Sequence, residues 1–187
     1  MNAVDNNIWT KLQSEAEDYN KSNEDYKDFL ESLVLSNDDF ISSISLKLSR
    51  DLSQAWSFSE KKLFPSIFQA LNTKDVSKAI EKDLNAVISR DPATNTILET
   101  FLFSKGFSAL QAYRASNFHW KKETLLSYFL QSRTSQVYGV DIHPAATIGK
   151  GIMLDHASGI VIGETSVIED DVSIFQGVTL GGTGKEV

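Results

Sequence analysis

The sequence predicts an α+β protein in two unlike parts: an all-helical stretch over residues 1–139, then a parallel β-helix over residues 140–187. Three observations carry that prediction. Before residue 140, apolar side chains recur at helical spacing; after it, aliphatic side chains recur every six residues. The texture changes at Val140, where long charged segments give way to short Ile and Val runs punctuated by glycine.

The helical part is clearest in its second half. Val76, Ala79, Ile80, Leu84, Val87 and Ile88 follow the spacing of one buried helical face. Asp75 is the expected N-cap of that helix. Asp91 precedes Pro92, which disfavours the helical region at Asp91 and ends the helix there. A second helix is expected from about Asn95 to Lys105, with Gly106 as its C′ residue. Helical patterns resume over Phe107–Arg114 and over Glu123–Ser132, where Leu125, Leu126, Phe129 and Leu130 mark the apolar face. Residues 1–70 also read as helical, with softer boundaries.

The β-helix rests on period. Ile142, Ile148, Leu154 and Ile160 are six apart, as are Ile162, Ile168, Ile174 and Leu180. The two sets are out of phase by two residues, so one turn carries an irregularity. Four residues after the anchors stand Ala146, Ile152, Ser158, Ser166, Val172 and Val178, which are small or apolar. A six-residue period fits neither an α-helix nor an alternating strand. It fits a solenoid in which each hexad makes one short strand and one corner, and three hexads close a triangular coil. Each inward Ile or Leu stabilises the stack by about 1.5–3 kcal/mol relative to exposure.

Composition excludes several function classes. The chain has 187 residues, with 18 Lys plus Arg against 25 Asp plus Glu, a net charge of −7. So acidic a chain has no general attraction to phosphate backbones, and no nucleic-acid role is expected. The absence of cysteine removes disulfides, thiolate nucleophiles and cysteine-based metal sites. No metal is expected. No basic-then-apolar leader opens the sequence, and no apolar run reaches the 18 or so residues of a membrane span, so no membrane role and a cytoplasmic location are expected.

Four motifs carry a resemblance: Arg90-Asp-Pro-Ala93, Lys105-Gly-Phe-Ser-Ala-Leu-Gln-Ala-Tyr-Arg114, Asp141-Ile-His-Pro144 joined to Met153-Leu-Asp-His-Ala157, and Gly181-Gly-Thr-Gly-Lys185. Together they resemble the serine O-acetyltransferases of the hexapeptide-repeat acyltransferase superfamily, over about Ser89 to Lys185. The resemblance implies a left-handed coil, L-serine and acetyl-CoA as substrates, O-acetylserine as product on the route to cysteine, and no permanently bound cofactor. It implies a homotrimer or a dimer of trimers, with the helical domain (1–139) packing trimers together and each active site lying between neighbouring coils.

Residue by residue, His156 resembles the general base and Asp141 its orienting carboxylate. Asp91 and Asp155 resemble the ligands on the ammonium and hydroxyl sides of serine. Gly181, Gly182 and Thr183 resemble the loop along coenzyme A. The chemistry fits these types: the serine hydroxyl needs a base as it attacks a thioester, and histidine is matched to that near neutral pH. Taken without the resemblance, His156 is a solvent-facing corner histidine, Asp91 simple helix punctuation, and the glycines a corner. Asp141 lies 14 residues before Asp155 against 18 for a full coil, which predicts the two motifs on neighbouring turns. His143, before Pro144, is read as shaping the entry to the coil, and His119 as a core or interface histidine.

The family pattern continues past the glycine loop into an Arg-His pair, further coils and a C-terminal Ile tail. None of these follows Lys185. The expectation is therefore a truncated coil with little or no activity alone, and no docking to O-acetylserine sulfhydrylase, which uses that tail. Two alternatives stand beside the acetyltransferase reading: a non-catalytic assembly or scaffold subunit, and a hexapeptide acetyltransferase with another acceptor.

Overall fold

A computed structural model describes residues 6–53 and 58–182. Helix α1 (Asn6–Ser22) leads through a 3-10 turn at Glu24–Tyr26 to α2 (Lys27–Leu30) and a π-helical segment at Glu31–Leu35. Then follow α3 (Phe40–Leu52), α4 (Glu60–Leu71), α5 (Lys74–Arg90), α6 (Ile97–Phe103), α7 (Lys105–His119) and α8 (Thr124–Tyr138). Seven short strands follow among the described residues: β1 (Val140–Ile142), β2 (Thr147–Ile148), β3 (Met153–Asp155), β4 (Ile160–Ile162), β5 (Val167–Ile168), β6 (Ser173–Phe175) and β7 (Thr179–Leu180). No helix among the described residues is long and apolar enough to cross a membrane.

Local chemistry sets the helix ends. Asp39 caps α3 by accepting from Ser42 N at 2.7 Å. Thr96 and Glu99 form a reciprocal capping box on α6. At α5 the cap is Thr73, whose side chain makes no capping bond to the helix and instead donates to Ala70 O at 3.1 Å; Asp75 falls inside the first turn, where its charge favours the positive end of the helix. Asp91 leaves the helix in extended conformation before Pro92, as expected. Gly139 closes α8 with a left-handed φ of 71°, a conformation glycine adopts without steric cost.

Gly106 does not end a helix. α6 stops at Phe103, Ser104 caps α7 by accepting from Phe107 N at 3.2 Å, and Gly106 lies in the first turn of α7. A Cβ on Gly106 would collide with the carbonyl oxygen of Leu154. Glycine is there so that a helix backbone and a strand backbone can touch.

The strands form three parallel sheets, ordered β1-β4-β7, β2-β5 and β3-β6. Each is one face of a triangular coil. The anchors Ile142, Leu154, Ile162, Ile168 and Ile174 are buried, and Ile148 and Leu180 pack partly buried beside them. One expected row changes: Ile160 pairs with Val140, while Ile162 takes its place under Ile142. Ser158 is exposed, and its neighbour Ala157 is the buried residue of that corner. Asp141 and Asp155 lie on different faces of the same turn, not on neighbouring turns, because the coil advances only after β3.

Helices and coil share one continuous core, running from Leu12 and Phe40 through Phe101, Phe107 and Leu110 to Leu154 and Ile174. Helix α7 is buried around most of its circumference. Most of its buried polar groups are consequently paired, Gln111 Oε1 being an exception. Tyr113 Oη donates to Ala146 O at 2.5 Å, and burial pushes its phenol up to about 12. Asn117 donates to Pro144 O at 2.8 Å. His119 is a core histidine, with Nε2 2.9 Å from Ser66 O. His143 shapes the coil entry by accepting from Ala145 N at 3.1 Å through Nδ1.

Asp83 of α5 is the centre of the junction. It is fully buried, and it accepts from Arg114 Nε at 2.8 Å, Gln111 Nε2 at 3.2 Å and Ile152 N at 3.0 Å. Arg114 also donates to Gly149 O at 2.8 Å. Burial raises the Asp83 carboxyl above its ordinary value, against the pull of Arg114 and these donors. Arg114→Met removes the cation and leaves a buried carboxylate unpaired. It should cost about 3–5 kcal/mol in denaturant unfolding at neutral pH. The raised folded pKa sets the sign of the pH dependence: Asp83 takes up its proton above the ordinary value of 3.8, and higher still once Arg114 is gone, so the variant's deficit should already shrink as pH falls through that raised range, before 3.8 is reached.

Candidate active site

The corner after β3 is where the two extra residues of the coil reside. β1 pairs with β4, and β3 with β6, at an offset of 20 residues, whereas β4 pairs with β7 at an offset of 18. Anchors are six apart everywhere except between Leu154 and Ile162, so the irregularity legible in the repeat is the segment 155–161. It holds His156. His156 and Ala157 have φ of 52° and 58°, and Gly159 has 75°. Left-handed backbone costs a non-glycine residue about 1–2 kcal/mol. The corner holds it through Ser158 N donating to His156 O at 2.7 Å, Ile160 N donating to Ala157 O at 3.1 Å, and the complete burial of Ala157. The result is an imidazole projecting from a rigid corner, with its side chain 76% exposed.

A cleft of about 430 Å³ opens beside this corner. Its lining includes Asp91, Glu99, Lys105, Asp155 and His156. Three different elements deliver them. Asp91 stands just past the C-terminus of α5, which Arg90 ties to the coil through Gly151 O at 3.1 Å, Ser173 Oγ at 3.2 Å and Asp171 Oδ1 at 3.5 Å. Glu99 comes from α6 and Lys105 from the start of α7, next to the Gly106 contact with Leu154. Asp155 ends β3, with its carboxylate 3.9 Å from His156 Nε2 and its side chain 19% exposed.

The charges differ in how they are engaged. Asp91 accepts from Ala93 N and Thr94 Oγ1, both at 2.8 Å, so it braces the turn after α5 while facing the cleft. Punctuation and a cleft-facing carboxylate are here the same residue. Glu99 is held by Thr96 N and Asn95 N. Asp155 has no hydrogen-bond donor among the described residues. Lys105 Nζ donates to Ser158 Oγ, two residues from His156.

Of the residues expected at a site, Asp91, Asp155 and His156 therefore meet in one cleft. Asp141, Gly181 and Gly182 do not join them. Asp141 lies on the β1-β4-β7 face and accepts from Gln131 Nε2 at 2.7 Å. Gly181 and Gly182 follow β7 on that same face; Gly181 stacks on Gly163, and Gly182 has open space around its Cα. Thr183 lies outside the described residues. Lys105 and Ser158 are cleft residues that sequence reasoning did not single out. The available signal was Ser104, an N-cap three residues before Phe107, which makes Gly106 a first-turn residue and Lys105 a neighbour of a close backbone contact.

In chemical terms, the cleft offers a solvent-facing imidazole beside carboxylates suited to an ammonium group. Comparison with known proteins gives the family and the fold. Residues 8–112 match a family model described as "Serine acetyltransferase, N-terminal". A serine acetyltransferase of Buchnera aphidicola is 47% identical over 182 residues, covering 95% of this chain and 65% of that protein. A crystal structure of Neisseria gonorrhoeae serine acetyltransferase superposes with a TM-score of 0.92 at 40% identity, covering 96% of this chain and 70% of that one. A soybean serine acetyltransferase in complex with serine gives a TM-score of 0.92 at 38% identity, covering 96% and 74%. The shared fold is the expected one, a helical domain followed by a left-handed parallel β-helix. The chain thus spans about two thirds of the length of the Buchnera relative.

The Gly106 contact gives a test of how the corner is held. Gly106→Ala should destabilise the protein by about 1–3 kcal/mol, as overpacking does in a filled interior. It should also shift the His156 imidazole resonances in NMR spectra, because Leu154 is two residues upstream. Gly182→Ala, in open space, serves as the control and should do neither.

Proposed function

The chain belongs to the serine acetyltransferase family, and from that premise we propose that it transfers the acetyl group of acetyl-CoA to the hydroxyl of L-serine in the cytoplasm, a step towards cysteine. The observation that carries this reading is the cleft in which an exposed His156 meets Asp91 and Asp155. His156 takes the proton of the serine hydroxyl as its oxygen attacks the thioester carbonyl. The tetrahedral centre then collapses, the acyl–sulfur bond breaks, and the imidazolium returns the proton to the departing thiolate. The products are O-acetylserine and free coenzyme A. Asp91 and Asp155 receive the ammonium and hydroxyl sides of serine, and Gly181 and Gly182 let coenzyme A approach the backbone closely. Acetyl-CoA is a co-substrate, and no cofactor is held permanently.

The division of site residues between two faces supports a trimer. One corner carries His156 and Asp155, with Asp91 facing them across the cleft from the end of α5; another face carries Asp141 and the glycines. When triangular coils pack around a threefold axis, the corner of one subunit meets a face of the next. Asp141 then reaches His156 from the neighbouring subunit, where a carboxylate on the far nitrogen stabilises the imidazolium.

Two measurements test this. Thiol release from acetyl-CoA in the presence of L-serine should fall about 10²–10⁴-fold in His156→Ala with the circular dichroism unchanged, and an unaltered rate would overturn the reading. Mixing His156→Ala with Asp141→Asn under conditions that exchange subunits should restore a rate neither shows alone. No restoration would place both groups in one subunit's site.

A further inference from the structure

Resting on the role proposed above for Asp91, we infer that Arg90 is a positioning residue for the reaction: by gripping two successive turns of the coil it sets where the Asp91 carboxylate meets the ammonium of the acceptor. The need for such a grip follows from how Asp91 is held. Its carboxylate accepts from Ala93 N and Thr94 Oγ1, both inside its own turn. Those bonds orient it relative to residues 91–94, not relative to His156 on the coil. Helix α5 is anchored at Asp83, two helical turns or about 12 Å earlier. Val87 packs with Met153 one turn before the end. Past that point a helix frays unless something holds its last turn.

Arg90 holds it, and the coil is shaped to receive Arg90. Nη1 donates to Gly151 O at 3.1 Å on one turn and to Ser173 Oγ at 3.2 Å on the next, and Nη2 donates to Asp171 Oδ1 at 3.5 Å. Gly151 and Asp171 both have left-handed backbone, with φ of 73° and 62°. A Cβ on Gly151 would strike Asp171 Oδ1, so glycine lets that carboxylate lie against the preceding turn. Lys150 N donates to Asp170 Oδ1 at 2.9 Å, and Asp171 N donates to Lys150 O at 2.9 Å, which locks the two corners together. As an ion pair the contact contributes little, because the side chains of Arg90 and Asp171 are 31% and 67% exposed. Its effect is geometric. A planar guanidinium that bonds in fixed directions to a locked pair of corners sets the direction in which the chain leaves α5.

The test compares L-serine with 3-hydroxypropionate, which keeps the hydroxyl and carboxylate and lacks the ammonium. In calorimetric titration Asp91→Asn should weaken L-serine and spare 3-hydroxypropionate. Arg90→Met should do the same, by about 10-fold, within the range of coupling between neighbouring groups. Adding Arg90→Met to Asp91→Asn should weaken L-serine no further, because the carboxylate that Arg90 places is gone. Ser173→Ala and Asp171→Asn, both on the exposed surface of the coil, each remove one anchor and should act in the same direction by less. They carry the test if Arg90→Met does not fold. If the Arg90 and anchor variants weaken both ligands equally or neither, or if the losses from Arg90 and Asp91 add, Arg90 does not act through Asp91. The inference is then overturned while the acceptor reading stands. If Asp91→Asn leaves L-serine binding unchanged, or the unaltered protein does not prefer L-serine, the role of Asp91 itself fails, and this inference with it.

Discussion

The arrangement depends on one buried carboxylate. Asp83 gathers Arg114 and Gln111 from α7 and the amide of Ile152 from the coil, with no exposure to water. A buried charge of this kind is costly unless every lone pair is met, so it tolerates little displacement of any partner. It therefore fixes three elements relative to one another. α5 then ends where Asp91 faces the cleft, α7 starts where Gly106 can touch Leu154, and β3 ends at Asp155 and His156. Arg90 repeats the principle at the surface, binding the end of α5 to two successive turns of the coil. The site is thus assembled by the helix–coil junction rather than by the coil alone.

The coil contributes something different, a departure from its own regularity. Solenoid corners are stable because each repeats the one below. The corner at 155–161 has no such copy beneath it, since the corresponding turn after β6 is two residues shorter. Its two left-handed residues are compensated by the burial of Ala157 and by backbone bonds within the corner. Strain held where a reacting side chain projects is a recurring feature of functional sites.

Much of this was legible in the residues. The six-residue period named the coil, and its two-residue phase slip marked, without saying so, the corner that holds His156. The helical face of α5 followed from apolar spacing, and so did that of α8 except for Leu125, which points to solvent. What sequence could not show was contact between distant segments. Gly106 read as a helix end because glycine usually ends helices; its true partner, Leu154, is 48 residues away along the chain. Ile160 fell into the wrong row because a phase slip can be placed on either side of it, and only pairing with Val140 decides. Lys105 was invisible as a cleft residue for the same reason as Gly106. Asp141 was recognisable as a motif residue, yet its face of the coil is a property of the winding and not of its neighbours in sequence.

The length of the enlarged corner has a consequence for how such sites arise. Strand side chains alternate, so inserting one residue would turn every later anchor outward and unmake the coil beyond it. Two residues is the smallest addition that keeps the downstream strands in phase. A regular solenoid can therefore acquire a projecting, reactive corner by one short insertion, with no compensating change elsewhere in its core. The same arithmetic applies at each of its other corners, which makes the scaffold evolvable one corner at a time.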